Sequence, residues 1–169
     1  VGSTAVTLEG VGGADTLTGG DGADTITGAS GDDVLEGGMG SDTITGDGGA
    51  DTVYGGSGAD DIDGGEGDDN IYGGMDNDTI TAGDGENTVY GDGGADTIVT
   101  GKGADVIDGG MDADTITAGA GDDTVYGADG ADQIVAGEGA DVIDGAEGAD
   151  TITAGAGDDT VYGGSGDDC

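Results

Sequence analysis

An aliphatic residue returns at every ninth position of this chain, from Leu17, Ile26, Leu35 and Ile44 to Ile152 and Val161, with no insertion or deletion between them. Its neighbours are mostly polar or β-branched, as in Thr25-Ile26-Thr27 and Thr52-Val53-Tyr54. This out-in-out pattern predicts a three-residue strand with its middle side chain pointing inward. No 3.6-residue periodicity accompanies it, so no helix is expected. Between strands lie six residues of the form GGxGxD, whose glycines permit the positive φ of tight turning. A fixed period this short marks a solenoid.

A three-residue strand must reverse at both ends before it returns above itself, so two nonapeptides are expected to close one coil. The residues after the aliphatic position agree. Tyr54, Tyr72, Tyr90, Tyr126 and Tyr162 are separated by multiples of 18, while the intervening places, Thr27, Thr45, Asp63, Thr81, Val99, Thr117, Val135 and Thr153, hold no Tyr. The two faces are therefore chemically different. A 36-residue super-repeat overlies them, aligning Thr43-Ile44-Thr45 with Thr79-Ile80-Thr81 and spacing Met39, Met75 and Met111. The expected fold is all-β: a parallel β-roll, or β-solenoid, with an 18-residue coil and two short-stranded parallel sheets. About nine coils at ~4.8 Å each make a rod roughly 45 Å long.

Residues 1–9 lack the motif, yet Leu8 falls in phase and Val6 stands where an Asp is due, so they read as an N-terminal capping coil. Residues 10–169 form the array, which has no C-terminal cap: Gly163 to Asp168 is a complete loop and Cys169 begins a strand that stops. No signal peptide opens the chain and Val1 is not a natural start, so the sequence reads as a fragment or processed piece.

Composition sharpens the picture. The chain of 169 residues holds 45 Gly, no Pro, no His and no Trp or Phe, with one Lys or Arg against 39 acids, a formal charge of −38. By composition alone this reads as disorder. The register argues otherwise, because a disordered acidic linker needs no aliphatic residue at every ninth place. One aliphatic side chain per nonapeptide is nonetheless a thin core against the ordering entropy of so many glycines. Repulsion among the carboxylates adds to the deficit. Bound cations are required, and the chain's own side chains do not supply them.

The candidate ligands occupy one slot, two residues before each aliphatic position: Asp15, Asp24, Asp33, Asp42, Asp51, Asp60, Asp69, Asp78, Asn87, Asp96, Asp105, Asp114, Asp123, Asp132, Asp141, Asp150, Asp159 and Asp168. Stacked coils place each loop over the second loop along the chain, with Asp24 near Asp42 and Asp15 near Asp33. Each gap should then offer two carboxylates and several main-chain oxygens. An all-oxygen site without His or Cys suits Ca²⁺; zinc wants nitrogen or sulfur, and Mg²⁺ holds its water. Nine loops on each edge make eight gaps, hence up to 16 ions, which bring −38 to −6. Asn87 is expected to weaken the gaps toward Asp69 and Asp105, leaving 14 with Asp on both sides; Glu86 beside it should point outward. Asp76 and Asp112 replace a turn glycine at an expected positive φ. Ala82, Thr100, Ala118, Ala136 and Ala154 replace the first loop glycine on one edge only, as if that edge does not need it.

These loops resemble the RTX (repeats-in-toxin) nonapeptide GGxGxDxUx over about residues 10 to 168. The resemblance implies a right-handed β-roll with calcium in both loop columns, held by the Asp side chains and backbone carbonyls. It also implies a module of a secreted or cell-surface bacterial protein that is exported by type I secretion and folds on Ca²⁺ outside the cell.

The expected function is thus a calcium-binding structural module. Alternatives are an adhesion or ice-binding face built on the Thr-x-Thr or Tyr columns, the RTX region of a secreted toxin or hydrolase, and a designed consensus array. Catalysis finds no support, since there is no His and no carboxylate pair that differs from its copies. Like charge disfavours nucleic acid and anionic lipid, and no apolar run is long enough to insert in a membrane. Calcium ions are the expected partners, with self-association end to end or side by side. Cys169 has no partner for an internal disulfide, and Lys102, the one basic residue, reads as an incidental surface position.

Overall fold

Two parallel sheets carry every strand of the computed structural model, which describes residues 4–169. Eighteen strands alternate between them, nine to each, so consecutive strands never pair. Each strand pairs instead with those one full coil before and after: Leu8 with Ile26 and Ile26 with Ile44 in one sheet, Leu17 with Leu35 and Leu35 with Val53 in the other. The coil of two nonapeptides and the two-sheet β-solenoid are as expected.

Strand length is not. Most strands run six residues, as in Thr25–Ser30 and Val34–Met39, where the alternation predicts three. In these the pairing continues past the aliphatic triplet into the first half of the loop, where Ala29 lies opposite Asp47 and Ser30 opposite Gly48. Glycine there looks like turn in the sequence. In the fold it extends the ladder, because the first loop glycine still faces inward and Gly28 is buried. Even the turn beyond stays linked between coils, with the Gly31 amide donating to the Gly48 carbonyl at 2.8 Å.

The core is a single seam. The aliphatic positions from Ile26 to Ile143 are buried, joined by Ala82, Ala118 and Ala136 from the first loop slot. Leu8, Leu17 and Ile152 are only partly covered at the outer coils, and Val161 is 45% exposed.

At the N-terminal end, the strand Thr7–Glu9 pairs with Thr25–Thr27. Val6 takes part too, its amide donating to Asp24 Oδ1 at 2.7 Å. Residues 1–3 of the expected capping coil lie outside the described residues. At the other end Cys169 adds one rung, accepting from the Ile152 amide and donating to the Asp150 carbonyl.

The faces differ as read. Tyr54, Tyr72 and Tyr90 stack along one sheet with ring centroids 5.0 and 5.1 Å apart. On the other sheet the corresponding places hold no ring: Thr27 lies opposite Thr45, Thr45 opposite Asp63 and Asp63 opposite Thr81.

Candidate metal centre

Closing a coil with every second nonapeptide puts the acidic slots into two columns along opposite edges of the rod. One column runs Asp15, Asp33, Asp51, Asp69, Asn87, Asp105, Asp123, Asp141 and Asp159. The other runs Asp24, Asp42, Asp60, Asp78, Asp96, Asp114, Asp132, Asp150 and Asp168. From Asp24 to Asp150 these residues are at most 3% exposed. The aspartates turn inward.

Each carboxylate divides its two oxygens between two jobs. Oδ1 accepts the backbone amide of the slot residue one coil earlier, as Asp42 does from Asp24 at 2.7 Å and Asp114 from Asp96 at 2.8 Å. These bonds run unbroken along both columns, from Asp15–Asp33 to Asp150–Asp168. Oδ2, in contrast, has no hydrogen-bond partner in any of the fourteen buried aspartates. A buried acceptor left unpaired costs about 1–3 kcal/mol, more when charged. Fourteen in one small protein demand a donor or a cation.

The space in front of Oδ2 is kept open by the first loop glycine. A Cβ placed on Gly73 would fall 2.6 Å from Asp78 Oδ2 and 2.9 Å from the Gly91 carbonyl oxygen of the next coil. Gly28 faces Asp33 Oδ2 and the Gly46 carbonyl in the same way, at 2.5 and 3.0 Å. Each such cradle therefore holds one carboxylate oxygen and one carbonyl oxygen. Of the two carboxylates expected at each gap, each has Oδ1 engaged by a neighbouring amide, so Oδ2 is the oxygen it can offer. Among the described residues no three acidic, His or Cys side chains converge, so main-chain oxygen has to supply the remaining ligands. This donor set fits a hard cation such as Ca²⁺ and offers nothing to a soft one.

Electrostatics agree. Burial pushes the carboxyls of Asp78, Asp96 and Asp114 up to about 7, and those of Asp60, Asp69 and Asp123 to about 6. The amide on Oδ1 works against this, and neighbouring carboxylates add to it. Without a cation, the columns hold charge at a cost.

The family model for the RTX calcium-binding nonapeptide repeat matches six segments that together span residues 9–168: 9–44, 36–71, 45–80, 72–107, 108–143 and 135–168. This chain belongs to the RTX calcium-binding repeat family. A comparison with curated proteins returns no match.

The departures from the RTX loop now have structural readings. Asp76 and Asp112 adopt φ of 77° and 74°, as expected where they replace a turn glycine. Glu86 is exposed and does not turn in to compensate for Asn87. Ala82, Ala118 and Ala136 put a methyl where the other column keeps a cradle, yet Asp123 and Asp141 Oδ2 remain unpaired.

Two features escaped the sequence reading. The residue just before the acidic slot makes a second link of opposite sense: Asp32, Asp68 and Asp122 accept the amide one coil later, from Ala50, Glu86 and Ala140. The recurrence of Asp at that place was the available signal. Lys102 is not incidental either, since its Nζ lies 2.6 Å from Asp84 Oδ2 on the preceding coil. Opposite charges two nonapeptides apart on one edge carry that signal.

Proposed function

We propose that both loop columns take calcium between successive coils, with acidic-slot Asp residues giving Oδ2 and the loops giving carbonyl oxygens. The observation that carries this reading is the row of buried, unpartnered Oδ2 atoms, most of them facing a carbonyl across a cradle that glycine leaves open. Up to about 16 ions would reduce the formal −38 to −6 and satisfy acceptors that no protein donor reaches. Metal held by the folded form alone stabilises it by mass action. The chain is then a structural module whose order depends on Ca²⁺. Scarce cytosolic calcium would leave it unfolded for export, and the calcium outside a bacterial cell would fold it, whatever domain it accompanies.

A calcium titration followed by far-UV circular dichroism tests this. In chelator at neutral pH the spectrum should be coil-like, and millimolar Ca²⁺ should restore β signal cooperatively. A chain already folded in chelator at low salt would falsify the reading.

A further inference from the structure

One stretch of the first column is built differently from the rest. Asn87 keeps the slot's links, accepting the Asp69 amide on Oδ1 at 2.9 Å and donating its own amide to Asp105 Oδ1 at 2.8 Å. In place of a free Oδ2 it carries Nδ2, which donates to the Gly83 and Gly85 carbonyls of its own loop at 3.2 and 3.4 Å. The next loop departs too. At the cradle position, glycine or alanine in every other loop, Thr100 donates Oγ1 to the Ala118 carbonyl, the counterpart of the carbonyl that faces Oδ2 in the glycine cradles. Asp105 Oδ2 stays unpartnered, but the carbonyl that would share an ion with it is engaged. Thr100 sits at a register shift after Val99 and ends a strand of four residues. Outside the same two loops, Lys102 pairs with Asp84, the only ion pair among the described residues.

Side-chain amide and hydroxyl thus donate to loop carbonyls in two successive coils of this column. The Gly83, Gly85 and Ala118 carbonyl oxygens are already hydrogen-bonded to side-chain donors, while Lys102 meets Asp84 on the exposed side of the same loops. Resting on the calcium reading above, we propose that the two successive gaps at Asn87 and Asp105 are closed to calcium, with Asn87 Nδ2 and Thr100 Oγ1 standing in for the ion. The two columns then differ in capacity: the one through Asp78 and Asp96 loads continuously, and the one through Asn87 is interrupted.

Calcium bound at saturation, counted by equilibrium dialysis on the full chain, tests this. N87D should bind one ion more than the parent and N87D/T100G two more, because each substitution returns a free acceptor of the kind its neighbours have. An unchanged count in a parent that does bind calcium overturns the proposal alone; a parent that binds none overturns the calcium reading with it. A second measurement needs no variant. In crystals grown with calcium, anomalous scattering should show ions beside Asp78 and Asp96 and none beside Asn87 or Asp105, and a peak at either of those two places overturns the proposal.

Discussion

The backbone amide of Asp78 donates to Oδ1 of Asp96 at 2.7 Å, while Oδ2 of Asp96 meets no donor at all. One carboxylate therefore serves the polypeptide with one oxygen and keeps the other, the oxygen proposed to take a cation, without a partner. The two roles separate by mutation. Asp96→Asn keeps an acceptor for the Asp78 amide, as Asn87 does for Asp69, and replaces only the unpartnered oxygen. Asp96→Ala removes both. Asn should bind fewer calcium ions by calorimetry. Ala should lose the same calcium and a further increment of about 1–3 kcal/mol, the cost of leaving a buried amide unpaired. Equal stability of the two variants in saturating calcium would show that the Oδ1 bond contributes nothing.

The pH response of the metal-free chain follows from the raised carboxyls. Asp78, Asp96 and Asp114, at about 7 when folded against an ordinary 3.8, hold protons that the unfolded chain has already released. Between those values the folded state binds more protons, so its stability falls as pH rises. The contribution is complete below about 3.8 and lost as pH passes through 6 to 7. Acidifying the chain in chelator from pH 8 to 4.5 should therefore raise its β circular dichroism, with protons replacing calcium. With calcium present the sign reverses, because ligation needs the ionised carboxylate and affinity drops on acidification. A metal-free chain that loses β signal toward pH 4.5 contradicts the sign.

Much of this arrangement was legible beforehand, and the reasons are particular. Ile26, Ile44 and Ile62 at steps of two nonapeptides, with Tyr54, Tyr72 and Tyr90 out of step with Thr27 and Thr45, leave little freedom in coil length or in the assignment of faces. Strand extent was hidden, because Gly28-Ala29-Ser30 carries turn chemistry locally and acquires its pairing only from Gly46-Asp47-Gly48 on the next coil. The acidic columns were legible as columns. The division of labour between Oδ1 and Oδ2 was not, since it depends on which backbone amide a neighbouring coil presents. Lys102 looked isolated for the same reason: its partner Asp84 is two nonapeptides away in sequence and adjacent only once the coils stack.

The cradle glycines give a steric test. Alanine at Gly73 would bring its Cβ within 2.6 Å of Asp78 Oδ2, 2.9 Å of the Gly91 oxygen and 3.2 Å of Ile80 Cδ1, so the carboxylate or the coil must move. Overpacking of this kind costs about 1–3 kcal/mol, and it should also weaken calcium at that gap. Gly48→Ala is the matched control, since a Cβ there meets nothing within 4 Å and the change should stay within ~0.5 kcal/mol. Thermal unfolding in calcium compares the two. A Gly73→Ala protein as stable as Gly48→Ala, with unchanged calcium affinity, would mean the cradle does not need to be empty.

The tyrosine ladder predicts an unequal response among residues that look alike in the sequence. Tyr72 lies between Tyr54 and Tyr90, with centroid distances of 5.0 and 5.1 Å and interplanar angles of 12° and 8°. Tyr126 lies between Asp108 and Asp144 in the register and has no ring to stack on. Aromatic pairs contribute about 0.5–1.5 kcal/mol beyond the area they bury, so Tyr72→Ala removes two such terms and Tyr126→Ala none. At roughly 2–4 °C per kcal/mol for a chain of this size, the melting temperature in calcium should fall about 2–12 °C further for Tyr72→Ala than for Tyr126→Ala. Tyr72→Phe keeps the rings in contact and should melt close to the parent. Equal losses at the two positions would reduce the ladder to three separate side chains that happen to lie parallel.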